Sequence, residues 1–230
     1  MNNLTNSMWP APAGQLPDPV PDRYLGVWSR TLLTTPEISD TSTYVRWMQL
    51  SEWHADLRVS RESPARFQGF SGLTAVSQRL EGEVCTWQRW VDIEPARETP
   101  DEGFMVFESS NRLVETGIHG VYHEVWERLP DSLGQRRVLA EPVNADGTGG
   151  ARLFVSGIYL MRVKPSMPPR PGFEISFGIW DGRLWKVEQS TITSFNGQVF
   201  KLKLNRTSQQ TVKVSFHHAN SSEWYVLDWE

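Results

Sequence analysis

Along most of the chain apolar and polar residues alternate with a period of two, the pattern of extended strands whose successive side chains face opposite ways. From Gly26 to Leu33, Trp28, Arg30 and Leu32 fall on one face and Val27, Ser29 and Thr31 on the other. The alternation returns over Thr43–Leu50, where Val45, Trp47 and Gln49 share a face. Over Trp53–Val59 a polar face of His54, Asp56 and Arg58 lies opposite Ala55, Leu57 and Val59. Strand character resumes at Leu73. Glu83–Glu94 carries Cys85, Trp87, Arg89, Val91 and Ile93 on one face. Phe104–Glu108, Arg112–Thr116 and Val121–Leu129 continue as a meander, and the last sets Tyr122, Glu124, Trp126 and Arg128 together. The second half reads the same way over Arg137–Glu141, Arg152–Val163, Phe173–Trp180, Arg183–Thr191, Val199–Leu204, Thr211–His217 and Trp224–Trp229. Asp181-Gly182 and Asn196-Gly197 are hairpin signals, because a type I′ turn needs positive φ at both central residues.

About a dozen short strands separated by turns predict an all-β, antiparallel sandwich or barrel. Several strands carry aromatic or cationic residues on one face and aliphatic residues on the other. Both faces then have something to bury or bind, which favours a barrel with an occupied interior over an open sheet with one wet face. The expected fold is a barrel of about ten to twelve strands with one short helix. That helix is placed at Ser63–Phe70, with Ser63 as N-cap and Pro64 at the first helical position. Residues 1–22, with prolines at 10, 12, 17, 19 and 21, read as an unanchored extended arm that includes Trp9, and 23–230 as a single barrel domain.

Composition narrows the partners. A net charge of −4 without a basic tract argues against nucleic acid or an acidic membrane. One cysteine, Cys85, excludes an internal disulfide framework, and no apolar run reaches spanning length, so a cytoplasmic protein is expected. Eleven tryptophans, ten phenylalanines and five tyrosines supply wide rigid surfaces suited to a core or to a pocket for a hydrophobic small molecule. The protein is expected to bind such a molecule as a monomer or homodimer.

Metal and cofactor signals are weak. His119 and His123 would lie about 13 Å apart along a strand, and no Cys pair or HExxH helps them. Cys85 in an apolar strand reads as a buried inert thiol, and Gly147-Thr148-Gly149-Gly150 lacks the helix and Lys of a phosphate loop. No cofactor and no metal are therefore expected. What remains is a set of polar groups on neighbouring strands: Asp56, Arg58, Arg89, Tyr122 and Glu124. Turned inward, they would be hydrogen-bond donors and a general acid or base, with Trp28, Trp47, Gln49, Trp87 and Trp126 as pocket walls. The alternative is a structural ion-pair ladder.

Thr43-Tyr44-Val45-Arg46-Trp47-Met48-Gln49, Asp56-Leu57-Arg58-Val59, Cys85-Thr86-Trp87-Gln88-Arg89, Glu115-Thr116-Gly117 and Tyr122-His123-Glu124-Val125-Trp126-Glu127-Arg128 resemble a lipocalin-like family. That family includes uncharacterised fungal and bacterial proteins and fungal hetero-Diels–Alderases of tropolonic sesquiterpenoid biosynthesis. The likeness covers about residues 24–165 and implies a lipocalin-like barrel around a hydrophobic cavity. It also implies a cofactor-independent cyclase that joins an o-quinone methide to an alkene by 4+2 cycloaddition. The family offers no catalytic motif to transfer, so the site residues rest on the strand faces: Arg58, Arg89 and Tyr122 as donors, Glu124 or Asp56 handling the proton. A non-catalytic barrel binding a lipophilic ligand is the alternative, and a structural module docking a protein partner a third.

Overall fold

The computed structural model describes Trp9 and residues 16–95, 98–146, 148–166, 172–217 and 221–230. Its sheets are antiparallel throughout, and the chain divides between Leu133 and Gly134 into two compact units. In the first unit a 3-10 turn at Asp22–Tyr24 leads into β1 (Gly26–Thr34), β2 (Ser39–Asp40), β3 (Tyr44–Gln49), β4 (Trp53–Val59) and β5 (Phe67–Arg79). There follow β6 (Gly82–Asp92), β7 (Asp101–Ser109), β8 (Arg112–Gly117) and β9 (His123–Arg128). β1 pairs with both β3 and β9, so β1 and β3 to β9 close into a ring, and the two-residue β2 pairs only with the end of β1.

The second unit carries β10 (Arg136–Ala140), β11 (Arg152–Ser156), β12 (Tyr159–Pro165), β13 (Phe173–Trp180) and β14 (Leu184–Ser190). It continues with β15 (Val199–Arg206), β16 (Thr211–Phe216) and β17 (Ser222–Trp229), and these eight strands close a barrel. Leu153, Val155, Trp180, Trp185, Leu202 and Trp224 belong to one buried aliphatic and indole cluster, the packed core of this unit. Trp9 belongs to the same unit. Its indole N–H donates to the Gly150 carbonyl at 2.8 Å, its ring meets Phe173 edge-on, and the Arg152 guanidinium lies 3.9 Å over its centroid.

The all-β antiparallel barrel expected from the alternation is present. The strand count and the helix differ. Among the described residues there are seventeen strands, sixteen of them in two rings of eight, where one ring of ten to twelve is predicted, and the 23–230 span is divided. One reason is local: Arg152–Val163 reads as a single strand, but the chain reverses at Gly157, with φ of 57°, into β11 and β12. No helix forms at Ser63–Phe70. Ser60 N–H donates to the Arg66 carbonyl at 3.0 Å and Arg66 N–H to Ser60 Oγ at 2.9 Å, closing a hairpin loop, and β5 starts at Phe67 opposite Val59. A two-turn helix is marginal by itself, and the ladders on both sides of β5 outweigh it. Trp9 is 3% exposed, so the unanchored arm is corrected there; 1–8 and 10–15 lie outside the described residues. In the rest of the arm Val20 is buried, and its N–H donates to the Ser51 carbonyl at 3.1 Å. A hairpin turn joins β13 to β14 at Asp181-Gly182 as predicted, but only Gly182, at φ 91°, has the positive φ that a type I′ turn asks of both residues. Gly197, at φ 78°, lies after a 3-10 turn at Thr193–Phe195 in the connection between β14 and β15.

Candidate functional site: the cavity of the first barrel

The first ring holds a cavity of ≈ 440 Å³, within the range of small-molecule sites. Trp47, Trp87 and Trp126 line it, with Trp47 edge-to-face on Trp87 at 5.5 Å and on Trp126 at 5.6 Å. Trp28, Cys85, Met105 and Leu113 share the same buried cluster but stay out of the lining. The Trp47 indole N–H is buried and has no hydrogen-bond partner among the described residues. Thr35, Ile38, Ser60, Glu62, Arg66 and Gln68 complete the wall, so the loop read as a helix contributes lining instead.

Two irregularities in the ladders set which side chains enter. The β1–β9 register shifts between Arg30 and Leu32. Arg30 faces the cavity with the parity expected from Trp28, but beyond the bulge Leu33, not Leu32, joins the lining. On β5 and β6 the register shifts at Ser71/Gly72, and Gly72 sits opposite Arg89. A Cβ on Gly72 would lie 1.9 Å from the Gln88 carbonyl oxygen, so the bulge requires glycine there.

Three arginines and their carboxylates form a charged belt around the cavity. Arg30 donates to Glu124 at 2.6 Å and to Asp40 at 3.2 Å. Arg58 donates through Nε to Asp56 at 2.9 Å. Arg89 donates to Asp101 at 2.8 and 2.5 Å and to Asp92 at 3.0 Å, with its guanidinium 3.4 Å from the Phe70 ring centroid. Burial raises the Asp56 carboxyl above its usual range even with Arg58 beside it. Burial also opposes the charge of Arg58, but Asp56 and Glu124 outweigh it, and the guanidinium holds its proton more firmly than usual. Arg58 is the most accessible of the three, with 18% of its side chain exposed against 6% for Arg30 and 10% for Arg89.

Glu115 lies opposite Glu124 across the β8–β9 ladder, buried but within the lining. The Tyr122 hydroxyl is 2.8 Å from its Oε1, and Trp126 N–H donates to its Oε2 at 3.1 Å. Burial, and then the charge of Glu124, push the Glu115 carboxyl up to about 8. Burial and the neighbouring Glu115 likewise raise the Tyr122 phenol. Two glycines paired across β7 and β8 make room for the pair. A Cβ on Gly103 would meet Glu115 Cγ at 2.7 Å, and one on Gly117 would meet the Tyr122 ring at 2.3 Å.

The structure gathers Asp56, Arg58, Arg89, Tyr122, Glu124, Trp47, Trp87 and Trp126 around one cavity, as the strand faces suggest. Trp28 and Gln49 are not among them. Trp28 is fully buried, stacked on Trp47 at 6.3 Å, and donates its indole N–H to the Tyr24 carbonyl at 2.7 Å. Gln49 is tied into the backbone. Its amide donates to the Leu50 carbonyl at 2.8 Å, and its carbonyl accepts from Thr74, which in turn contacts His54 Nδ1 at 3.0 Å. Burial, with Arg89 nearby, lowers His54 to about 3 and keeps it neutral. Both share the parity of the lining residues but sit one pair beyond it, which alternation cannot distinguish. Arg30, Asp40, Phe70, Asp101 and Glu115 also line the cavity, and of these the strand pattern singles out only Arg30, on the face of Trp28. The available signal for Glu115 was its parity with Leu113 in β8, a carboxyl on an inward face. Burial raises the Cys85 thiol well above its ordinary range, in keeping with an inert side chain. His119 contacts Glu102 at 3.2 Å, and no metal-holding group of three His, Cys, Asp or Glu occurs among the described residues. No helix among them is long and apolar enough to cross a membrane.

No protein-family model matches the chain, and no curated protein matches it. Its structure is similar to the crystal structure of the uncharacterized protein YLR301w from Saccharomyces cerevisiae. The TM-score is 0.64 at 12% identity, covering 89% of this chain and 98% of that one. At that identity the likeness shows the fold alone.

Proposed function

We propose that the first barrel is a cofactor-independent cyclase of the hetero-Diels–Alder type, acting on a hydrophobic polyketide or terpenoid substrate with a conjugated carbonyl. The observation that carries this reading is one cavity that combines three indole walls with a belt of guanidinium donors and buried carboxyls. The belt makes the site more polar than a purely greasy hollow, so the substrate is amphiphilic. Its ring and terpenoid carbons lie on Trp47, Trp87 and Trp126, and its oxygens meet the charged belt. Arg58, the most accessible guanidinium, donates to the carbonyl and lowers the empty orbital of the heterodiene.

In the first step the precursor's hydroxyl leaves as water after accepting a proton from the Tyr122 hydroxyl. Asp56, made more basic by burial, takes the phenolic or tropolonic proton. The resulting o-quinone methide and the alkene then form one C–C and one C–O bond with no further proton movement. Holding the two partners together lowers the barrier by about 7–11 kcal/mol through entropy already spent on binding.

Purified protein is incubated with the hydroxylated precursor and a humulene-type alkene. Faster formation of a single stereoisomer than in buffer is expected, and identical yield and stereochemistry would end the reading. A second reading, a non-catalytic lipophile-binding barrel, is favoured by the fact that Arg30, Arg58 and Arg89 already pair with carboxylates. Arg58→Ala separates them: a carrier keeps its ligand-dependent thermal shift, whereas the cyclase loses turnover even where binding survives.

A further inference from the structure

We infer that Glu115 and Tyr122 form a proton relay, in which the phenol hydroxyl hands protons between the cavity and the buried Glu115 carboxyl. The inference deepens the cyclase reading, since it assigns the source of the proton that Tyr122 delivers. Glu115 Oε2 already accepts from the Trp126 indole N–H, a group that only donates. The proton of the undissociated acid therefore sits on Oε1, whose neighbour at 2.8 Å is Tyr122 Oη. In that form Glu115 donates to Tyr122, and the phenol O–H is turned to the cavity that Tyr122 lines. When Tyr122 gives its proton to a ligand oxygen, it takes the one from Glu115. The phenol ends neutral with its O–H on the new carboxylate, so the two arrangements differ by one proton and no group carries a phenolate. Return of a proton from solvent, while Asp56 releases the one it took from the ligand, restores the start.

The geometry is built for this pair. Gly103 and Gly117 leave the space that Cβ atoms would fill, one beside the carboxyl and one beside the phenol ring. The charged and titratable groups facing Glu115 are Glu124 and Tyr122 from β9 and the turn before it, Asp101 from β7, Arg58 from β4 and the Cys85 thiol from β6. Glu124 and Asp101 raise the Glu115 carboxyl, and burial raises it most. Arg58 lowers it, as does the hydrogen bond from Tyr122. Glu124 is anchored to Arg30 and supplies fixed negative charge across the ladder. Two carboxyls in different surroundings thus take different roles, one as proton store and one as counter-charge.

Infrared spectroscopy of the full chain tests the relay without any ligand. A protonated-carboxyl band is expected at pH 6, lost with a midpoint near 8 and absent in Glu115→Gln, which keeps the shape of the side chain. On dilution into D2O this band shifts promptly in the wild type and at least about tenfold more slowly in Tyr122→Phe, which keeps its ring against Gly117. Absence of such a band, or its persistence in Glu115→Gln, would overturn the inference, as would equally fast exchange in Tyr122→Phe. A protein that shows both effects yet forms no cycloadduct supports the relay and refutes the cyclase reading.

Discussion

Gly117 shows how much of the site depends on single atoms. A methyl there would lie 2.3 Å from both the Gly120 carbonyl oxygen and the Tyr122 ring, and neither neighbour is a flexible chain end. Gly117→Ala is expected to destabilise the protein by about 1–3 kcal/mol, read from the urea midpoint, and to raise the Glu115 carboxyl midpoint as the phenol is displaced and its hydrogen bond lost. An unchanged midpoint in both measurements would show that Tyr122 is not seated there. The inward residues Asp56, Arg58, Arg89, Tyr122 and Glu124 were legible because a strand's period of two assigns faces without reference to the rest of the fold. Glu115 was not, since a lone carboxyl in a short strand reads as a solvated position. Only its cross-strand partners, Glu124 and the Trp126 indole, reveal that it is enclosed.

At the scale of elements, the bulges on β1 and on β5–β6 decide the contents of the cavity. Alternation was a sound guide up to each bulge and lost phase beyond it, which is why Leu33 and not Leu32 enters the lining. Nothing local in Thr31-Leu32-Leu33 marks the extra residue. Gly72 does mark one, because glycine inside a strand pattern points to a bulge or a close approach. Gly72→Ala would set a methyl 1.9 Å from the Gln88 carbonyl oxygen. It is expected to cost about 3 kcal/mol or more, with loss of native tryptophan fluorescence at lower urea. The helix expected at Ser63–Phe70 failed for a related reason. A serine cap and an N1 proline are local signals, and the paired edges of β4 and β6 that claim Phe67–Leu73 are distant in sequence.

For the whole molecule, two closed rings could not be counted from strands alone. Whether the last strand of a meander pairs back to the first, as β9 does to β1, depends on curvature summed over the sheet. The division after Leu133 carries no long linker, whereas the more conspicuous Pro165–Pro171 stretch lies inside the second unit. Both rings are rich in tryptophan, so composition did not tell which one carries the cavity lined by Trp47, Trp87 and Trp126. Global stability against pH combines two buried groups of opposite sign. His54, lowered from 6.5 to about 3, contributes stability present above 6.5 and lost as pH falls towards 3. Glu115, raised from 4.5 to about 8, contributes stability present below 4.5 and lost as pH rises towards 8. Urea titrations from pH 3 to 9 are expected to give a dome, and Glu115→Gln to flatten its alkaline side. An unaltered alkaline slope in that variant would remove Glu115 from the account.

The indole N–H resonances of the eleven tryptophans report directly on where a ligand binds. Titration of the labelled protein with the stable cycloadduct is expected to shift Trp47, Trp87 and Trp126, most of all Trp47, whose N–H has no partner among the described residues, and to leave Trp180, Trp185 and Trp224 in place. Shifts confined to those three tryptophans of the second barrel, or no shift at Trp47, Trp87 and Trp126 at saturating adduct, would contradict the assignment of the cavity as the site of reaction.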